Sequence, residues 1–266
     1  MFAQLGGPGL GGGLVALLGA AGALTADAIS YLVSVVSILG IRTHEEPPAP
    51  RRADETLRGQ IAEGLSFVVR HTILRRIVAC TATSNLFSGM GTALSMVFLI
   101  RVLHVRPALT GLIMAGAAVG GIVGGVYAGR LARRIGSARI IWVSMLVFSA
   151  PQVIAPAAWR GWGVLLFPLG WGIAYFAGMV YNIAQVSYRQ SVTPPELMGR
   201  MTAAVRWVVW GTLPIGGVLG GALGTLIGVR PALWLAFGGS WAAGWFVFFS
   251  PLRHMRDVPR PDALVG

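Results

Sequence analysis

There is no lysine in these 266 residues; all 21 basic residues are arginine. Acidic residues number only nine, and charged residues of both signs make up 11% of the chain, where an average soluble domain carries about a quarter. Cys80 is the single cysteine, so no disulfide can form within the chain and cysteine usage says nothing about compartment. The four histidines, His44, His71, His104 and His254, fall in loops or at the ends of apolar runs without ligand spacing. No metal site and no cofactor is therefore expected. No apolar run holds an acid/base pair, a nucleophile constellation or a metal cluster, which speaks against a membrane enzyme. The first apolar run is preceded by neither a charged n-region nor a cleavage site, so it reads as a membrane segment and not as a removable signal.

What is present is apolar surface. Hydrophobic residues make up 55% of the chain and mean hydropathy is +0.71. A soluble core of this length could not hide so much of it. Apolar spans are expected at residues 21–41, 74–103, 108–131, 138–158, 162–188, 201–228 and 231–251, with a partial one at 2–19. Each full span reaches the roughly 20 residues needed to cross about 30 Å of hydrocarbon. The expected fold is an all-α integral membrane protein with about seven full transmembrane helices plus one partial helix. The +12 formal charge invites a nucleic-acid reading, but the arginines sit in the gaps between apolar runs, where they orient helices. Nucleic acid is not an expected partner; the lipid bilayer is. Counted loop by loop, seventeen arginines fall on one side and only Arg101, Arg106, Arg160 and Arg230 on the other. The rich side is expected to be cytoplasmic, which puts the chain in the cell membrane with linker and C-terminus inside.

A glycine ladder occurs twice. Residues 7–24 (GPGLGGGLVALLGAAGAL) and 216–233 (GGVLGGALGTLIGVRPAL) align without a gap and agree at nine of eighteen positions, among them Gly7/Gly216, Gly11/Gly220 and Gly12/Gly221. By the arginine count both copies run from inside to outside, so the duplication is of the parallel kind. Glycines four apart, as in Gly216, Gly220 and Gly224, clear one helix face and let backbones approach. Pro8 and Pro214 add kinks. Residues 7–12 also satisfy GxGxxG, but no strand precedes them and the following helix is wholly apolar, which excludes a dinucleotide fingerprint.

Four regions follow: 1–41, a remnant of a first half; 42–72, a linker; 73–252, a six-helix half; and 253–266, a tail. The linker opens polar and proline-bearing (EEPPAPRRADE). It then turns amphipathic, with Leu57, Ile61, Leu65 and Val68 on one face, as for a helix on the inner leaflet or along the bundle.

Three segments carry a family likeness. GLSFVVRHTILRR (64–76), GRLARRIGSARI (129–140) and SYRQSVTPPELMGRMTAAVRW (187–207) resemble the linker end, the loop 8/9 signature and loop 10/11 of the major facilitator superfamily. Within it the chain most resembles the exporter branch that contains enterobactin exporters and macrolide-efflux-like proteins. Gly7, Pro8, Gly11 and Gly12 also fit the GPxxGG end of the helix 5 motif associated with antiporters. The resemblance implies the end of helix 5 followed by helices 6 to 12. It further implies a cytoplasmic gate drawn from Arg130, Arg133, Arg134, Arg189, Glu196, Arg200 and Arg206. Arg133 stands where the family usually has an acid, so the charge relay of that position does not carry over. Plain positive-inside anchoring accounts for the arginines as well; the alternative is that Glu196 pairs with Arg130, Arg133 or Arg134 when the cytoplasmic side closes.

Substrate contacts are sought among polar residues on apolar helices. Thr81, Asn85, Ser88, Thr92 and Ser95 share a helix face; Tyr175, Tyr181, Asn182 and Gln185 form another; Trp207 and Trp210 add a third. Such faces look into a cavity or hydrogen-bond between helices. Asp27 is the only acid inside an apolar span, either a helix-start cap or a proton-titrating group. The expected function is proton-coupled export of a hydrophobic or amphipathic small molecule, of the drug or siderophore class, by alternating access. The alternative is a non-transporting membrane fragment or partner subunit. Only six residues precede Gly7, whereas about 143 separate the start of helix 7 from Gly216, so a missing N-terminal half is expected as a partner.

Overall fold

Proline and glycine mark where the helices start, bend and stop. The computed structural model describes residues 21–22, 24–40 and 56–258, and the chain divides into two units, Met1–Glu55 and Thr56–Gly266. In the first unit the apolar helix α1 covers Leu24–Leu39. The span expected at 2–19, with Gly7, Pro8, Gly11 and Gly12, lies outside the described residues.

The second unit is helical throughout its described length. It runs α2 (Leu57–Arg70), α3 (Thr72–Val97), α4 (Pro107–Ile135), α5 (Arg139–Val143), α6 (Leu166–Val192), α7 (Pro195–Leu226), α8 (Val229–Ala242) and α9 (Gly244–Phe248). Thr56 caps α2 by accepting the Gly59 N–H at 3.1 Å. His71 ends α2 and starts α3, its Nδ1 accepting the Leu74 N–H at 3.2 Å. Burial pushes the His71 imidazole below its ordinary value, in keeping with a neutral ring whose Nδ1 accepts. Pro107 and Pro195 occupy first-turn positions, where the missing N–H costs nothing.

Among the described residues five stretches are long and apolar enough to cross a membrane: Thr72–Val102, Leu109–Ile135, Arg139–Ala157, Gly161–Val192 and Pro195–Leu226. Two of the expected spans differ in form. The one expected at 138–158 is composite: after α5 comes a π turn, Ser144–Phe148, and then a 3₁₀ stretch, Ala150–Ala157. Pro151 and Pro156 remove two amide donors there, so the α-helical ladder cannot continue. The one expected at 231–251 is interrupted at Ala243, between α8 and α9. Gly244 lies so close to α5 and its π turn that a Cβ would come within 2.8 Å of the Leu146 side chain and 3.0 Å of the Met145 carbonyl oxygen.

Packing between the spans is backbone to backbone at two crossings. In α7, a Cβ at Gly216 would overlap the Leu86 carbonyl oxygen of α3, one at Gly220 would meet Met90 at 2.8 Å, and one at Gly224 the Leu94 side chain at 2.7 Å. In α4, Gly120 lies against Gly172 and Gly124 against Phe176 of α6. Lipid tails are as apolar as leucine, so close van der Waals fit of this kind, and not burial from water, holds spans together. Around the crossings sit two core layers. One joins Leu74, Ile77, Tyr181, Tyr188, Met201 and Leu252; the other joins Phe98, Leu99, Phe167, Trp171, Leu233 and Phe237.

The two ends of the bundle separate the arginines. At one end Arg160 donates to the Val102 carbonyl at 3.4 Å and to His104 at 3.2 Å, and Arg230 donates to the Pro156 carbonyl at 2.7 Å. At the other end the segment after α9 straps the loop between α4 and α5. Ala138 and Arg139 donate their N–H groups to the Arg256 carbonyl at 3.0 and 3.2 Å, and Val258 donates to the Ser137 hydroxyl at 2.9 Å. Asp257 accepts from the Ser137 N–H at 2.9 Å and from its hydroxyl at 3.2 Å. Those bonds, with Arg256 and Arg139 nearby, hold the Asp257 carboxyl below its usual range. Gly136 makes the strap possible: its φ is 113°, and a side chain would strike the Arg256 backbone.

The linker helix α2 lies along α7 through one edge of the apolar face read from spacing, the edge that carries Val68. Gly64 and Val68 are buried, while Ile61 and Leu65 are 38% and 40% exposed. Gly64 is the reason: a Cβ there would come within 2.6 Å of the Arg200 carbonyl oxygen, so the glycine face is the one that can approach α7.

Candidate functional site

Every hydroxyl and amide on a membrane helix must find a partner or a wet cavity, and α3 shows both outcomes. Thr81 and Tyr181 share a hydrogen bond of 2.8 Å, and the Tyr181 hydroxyl also donates to the Ile77 carbonyl at 3.1 Å, joining α6 to α3. Asn85 donates to the Val209 carbonyl of α7 at 2.9 Å. Ser95 accepts the Trp171 indole N–H at 3.2 Å, and Ser84 meets Ser240 of α8 at 3.3 Å. Thr81 and Ser95 therefore tie α3 to α6 and Asn85 ties it to α7, whereas Ser88 is half-buried and Thr92 is exposed. Ser240 and Trp171 were not singled out by the sequence reading. Serine is common on such helices and Trp171 carries an apolar ring, so neither breaks an apolar pattern.

Among the described residues three side-chain atoms are buried without a hydrogen-bond partner: the Trp142 Nε1 of α5, and two atoms that lie together on α6. Gln185 is 4% exposed, and its Oε1 has no hydrogen-bond donor among the described residues. One turn on, the buried Nε of Arg189 also lacks an acceptor. These two residues share a face with Tyr181 in the same layer of the bundle. Leaving a buried acceptor unmet costs about 1–3 kcal/mol, so a native structure keeps one where something else is to meet it. Tyr175 is half-buried against Trp171, ring centroids 5.3 Å apart, and Asn182 is exposed. Trp207 and Trp210 are 78% and 56% exposed on the side of α7 turned away from α3, apart from Gln185.

At the charged end Glu63 of α2 pairs with Arg200 of α7; among the described residues Glu196 has no ion-pair partner within 4 Å. Glu196 sits in the first turn of α7, where a carboxylate is favoured by the helix dipole and can remain in water. Arg130 lies over the Tyr127 ring at 5.7 Å, and Arg133, Arg134 and Arg206 are exposed. Asp27 lies near the start of α1 in the first unit.

Among the described residues no group of three or more His, Cys, Asp or Glu side chains converges as a metal site would require. The geometry offers hydrogen-bonding and aromatic surface within a bundle of membrane-length helices. A comparison with curated proteins found no match. Residues 2–262 match the sequence profile of the family described as transmembrane secretion effector, which lies within the major facilitator superfamily. With nearly its whole length matched, the chain belongs to that family: it is a multi-pass membrane transporter of the major facilitator type.

Proposed function

We propose that the protein exports a hydrophobic or amphipathic small molecule by alternating access, driven by protons, and that it belongs to the exporter branch that it resembles. On this reading α3 to α9 correspond to helices 7 to 12. The observation that carries the proposal is the pair of unpartnered buried groups on α6, the Gln185 Oε1 and the Arg189 Nε. A substrate or the water that precedes it would meet them. Glu196 is the only acid between residues 72 and 248, so recognition in this half rests on hydrogen bonds and on aromatic rings such as Tyr175, Trp207 and Trp210. That chemistry favours an apolar molecule with a few polar atoms over a compact multivalent ion. Asp27, the acid within the apolar helix α1, is the group we assign to carry the proton.

Cells in which the native gene is disrupted should retain a lipophilic fluorescent dye several-fold longer than cells carrying it. A protonophore should abolish the difference. Equal retention in both strains would remove the export reading, and a difference indifferent to the protonophore would remove proton coupling.

The orientation assigned here places the linker and the tail in the cytoplasm of a cell-membrane protein. Cys80 is fully buried and gives a silent background for labelling. In intact cells a membrane-impermeant maleimide should label Val105→Cys and leave Ala53→Cys and Ala263→Cys untouched. The opposite pattern would invert the topology.

A further inference from the structure

The seam between α4 and α6 is open on both sides of its glycine crossing. Where Gly120 meets Gly172 and Gly124 meets Phe176 the backbones touch. Toward the arginine-poor end the helices frame an almost wholly apolar groove of about 580 Å³, lined by Gly116, Val119, Val123, Phe148, Pro151 and Phe176 among others. Toward the arginine-rich end a second cavity of about 380 Å³ lies against Ala128, Gly129, Ala132, Ile183, Ala184 and Ser187, and reaches Ser137 and Val258. Both volumes fall in the range of about 300–1,000 Å³ typical of small-molecule sites. Neither contains any residue of the polar face on α6 discussed above.

The lower cavity ends among cations. Arg133 and Arg134 close α4, Arg139 opens α5, and all three are exposed. The one acid at this mouth, Asp257, is already engaged by Ser137, and its only ion pair is with Arg256, 3.9 Å away. Among the described residues Arg133, Arg134 and Arg139 have no carboxylate within 4 Å. From Arg133 to Val123 is ten helical residues, about 15 Å, which is half of the roughly 30 Å hydrocarbon thickness. A chain that starts at this mouth therefore runs through the lower cavity and meets the upper groove at mid-membrane.

We infer that the α4–α6 seam binds an anionic glycerophospholipid from the leaflet on the arginine-rich side. Its phosphate sits among Arg133, Arg134 and Arg139, its glycerol beside the hydroxyls of Ser137 and Ser187, and one acyl chain in the cavity. The arginine-only mouth supplies the charge that a phosphate needs, and guanidinium forks match phosphate oxygens. The apolar seam supplies what a free phosphate would not use. A bound lipid of this kind would brace the loop that the C-terminal strap also holds, and the two devices meet at Ser137.

The test uses the purified full chain in detergent micelles, with lipid retention read by native mass spectrometry. Phosphatidylglycerol should be retained over phosphatidylcholine, and raising sodium chloride from low to high concentration should erase the preference. The triple variant R133Q/R134Q/R139Q should reduce phosphatidylglycerol retention by at least about tenfold, since a single arginine near an anionic surface contributes about fivefold. Gly129→Leu, whose new Cβ would sit no closer than 3.6 Å to a neighbouring atom, should fill the lower cavity and reduce retention by a similar factor. Glycerol-1-phosphate, which has the headgroup chemistry and no chain, should not compete. Equal retention of the two lipids, or no effect of salt, would overturn the inference from the unmodified protein alone. Full retention in Gly129→Leu would show the cavity empty, and competition by glycerol-1-phosphate would make the site one for free phosphate; either outcome overturns it as well.

Discussion

Gly216→Leu is expected to remove most folded protein from a detergent extract, while Gly217→Leu, the next residue, leaves the melting midpoint close to wild type. The two positions share a helix, a hydropathy and a distance from the ends. They differ in what a side chain would meet. At Gly216 even a Cβ overlaps the Leu86 carbonyl oxygen, a backbone atom that cannot rotate away; at Gly217 there is nothing within 4 Å. Accommodating leucine at Gly216 means moving α7 off α3 along the whole Gly216, Gly220, Gly224 row. That separation also breaks the Asn85 bond to the Val209 carbonyl. Overpacking costs typically about 1–3 kcal/mol where side chains can yield, and the upper end or more is expected where backbone blocks backbone. Melting curves of both variants, with Gly220→Leu as a third, decide it. Equal midpoints for Gly216→Leu and Gly217→Leu would mean that the α3–α7 crossing is not glycine-mediated.

Gln185→Leu is expected to do the reverse: transport falls at least about tenfold while the folded protein becomes no less stable. Leucine is apolar, one atom shorter than glutamine, and removes an acceptor that no described residue satisfies. Relieving an unmet buried acceptor returns roughly 1 kcal/mol or more, so thermal stability should hold or rise. Transport should suffer because the group left unmet in the resting protein is the one a polar atom of the substrate is proposed to meet. Asn85→Leu makes the contrast. Its amide already donates to the Val209 carbonyl, so its loss removes a bond between α3 and α7 and should lower stability by about 1 kcal/mol, within the range for interhelical bonds in membranes. Dye efflux and melting midpoint measured side by side separate the two roles. A Gln185→Leu protein that melts earlier and transports normally would make Gln185 a packing residue.

The two expectations rest on one physical asymmetry. In lipid, a polar atom with a partner is part of the scaffold and one without a partner is poised for something that arrives. The Thr81, Tyr181 and Ile77 cluster belongs to the first kind, and Gln185 and Arg189 to the second. The strap built from Arg256, Asp257 and Val258 belongs to the scaffold, although it lies in the polar tail where the sequence offers no pattern to read.

The sequence by itself determined that the chain is helical, that it crosses a membrane several times and that it is built on the major facilitator plan. Hydropathy, arginine placement and glycine spacing are properties of neighbours along the chain, and each helix in lipid must satisfy its own backbone whatever surrounds it. Pro151 and Pro156 act on their own turn, so the bends there were legible in the same way, whereas the interruption at Ala243 was not. Tertiary structure alone decided the pairings. Thr81, Asn85, Ser88 and Thr92 are equivalent by spacing, yet Thr81 meets Tyr181 of α6 and Asn85 the Val209 carbonyl of α7, while Ser88 and Thr92 make no bond to another helix among the described residues. Glu63 meets Arg200 while Glu196, closer in sequence to the same arginine, does not; the glycine at position 64 lets α2 approach α7 and carries the carboxylate with it. A periodic pattern states which residues share a face. The crossing of two helices distant in sequence sets which of those residues find a partner, through backbone contacts at a few glycines.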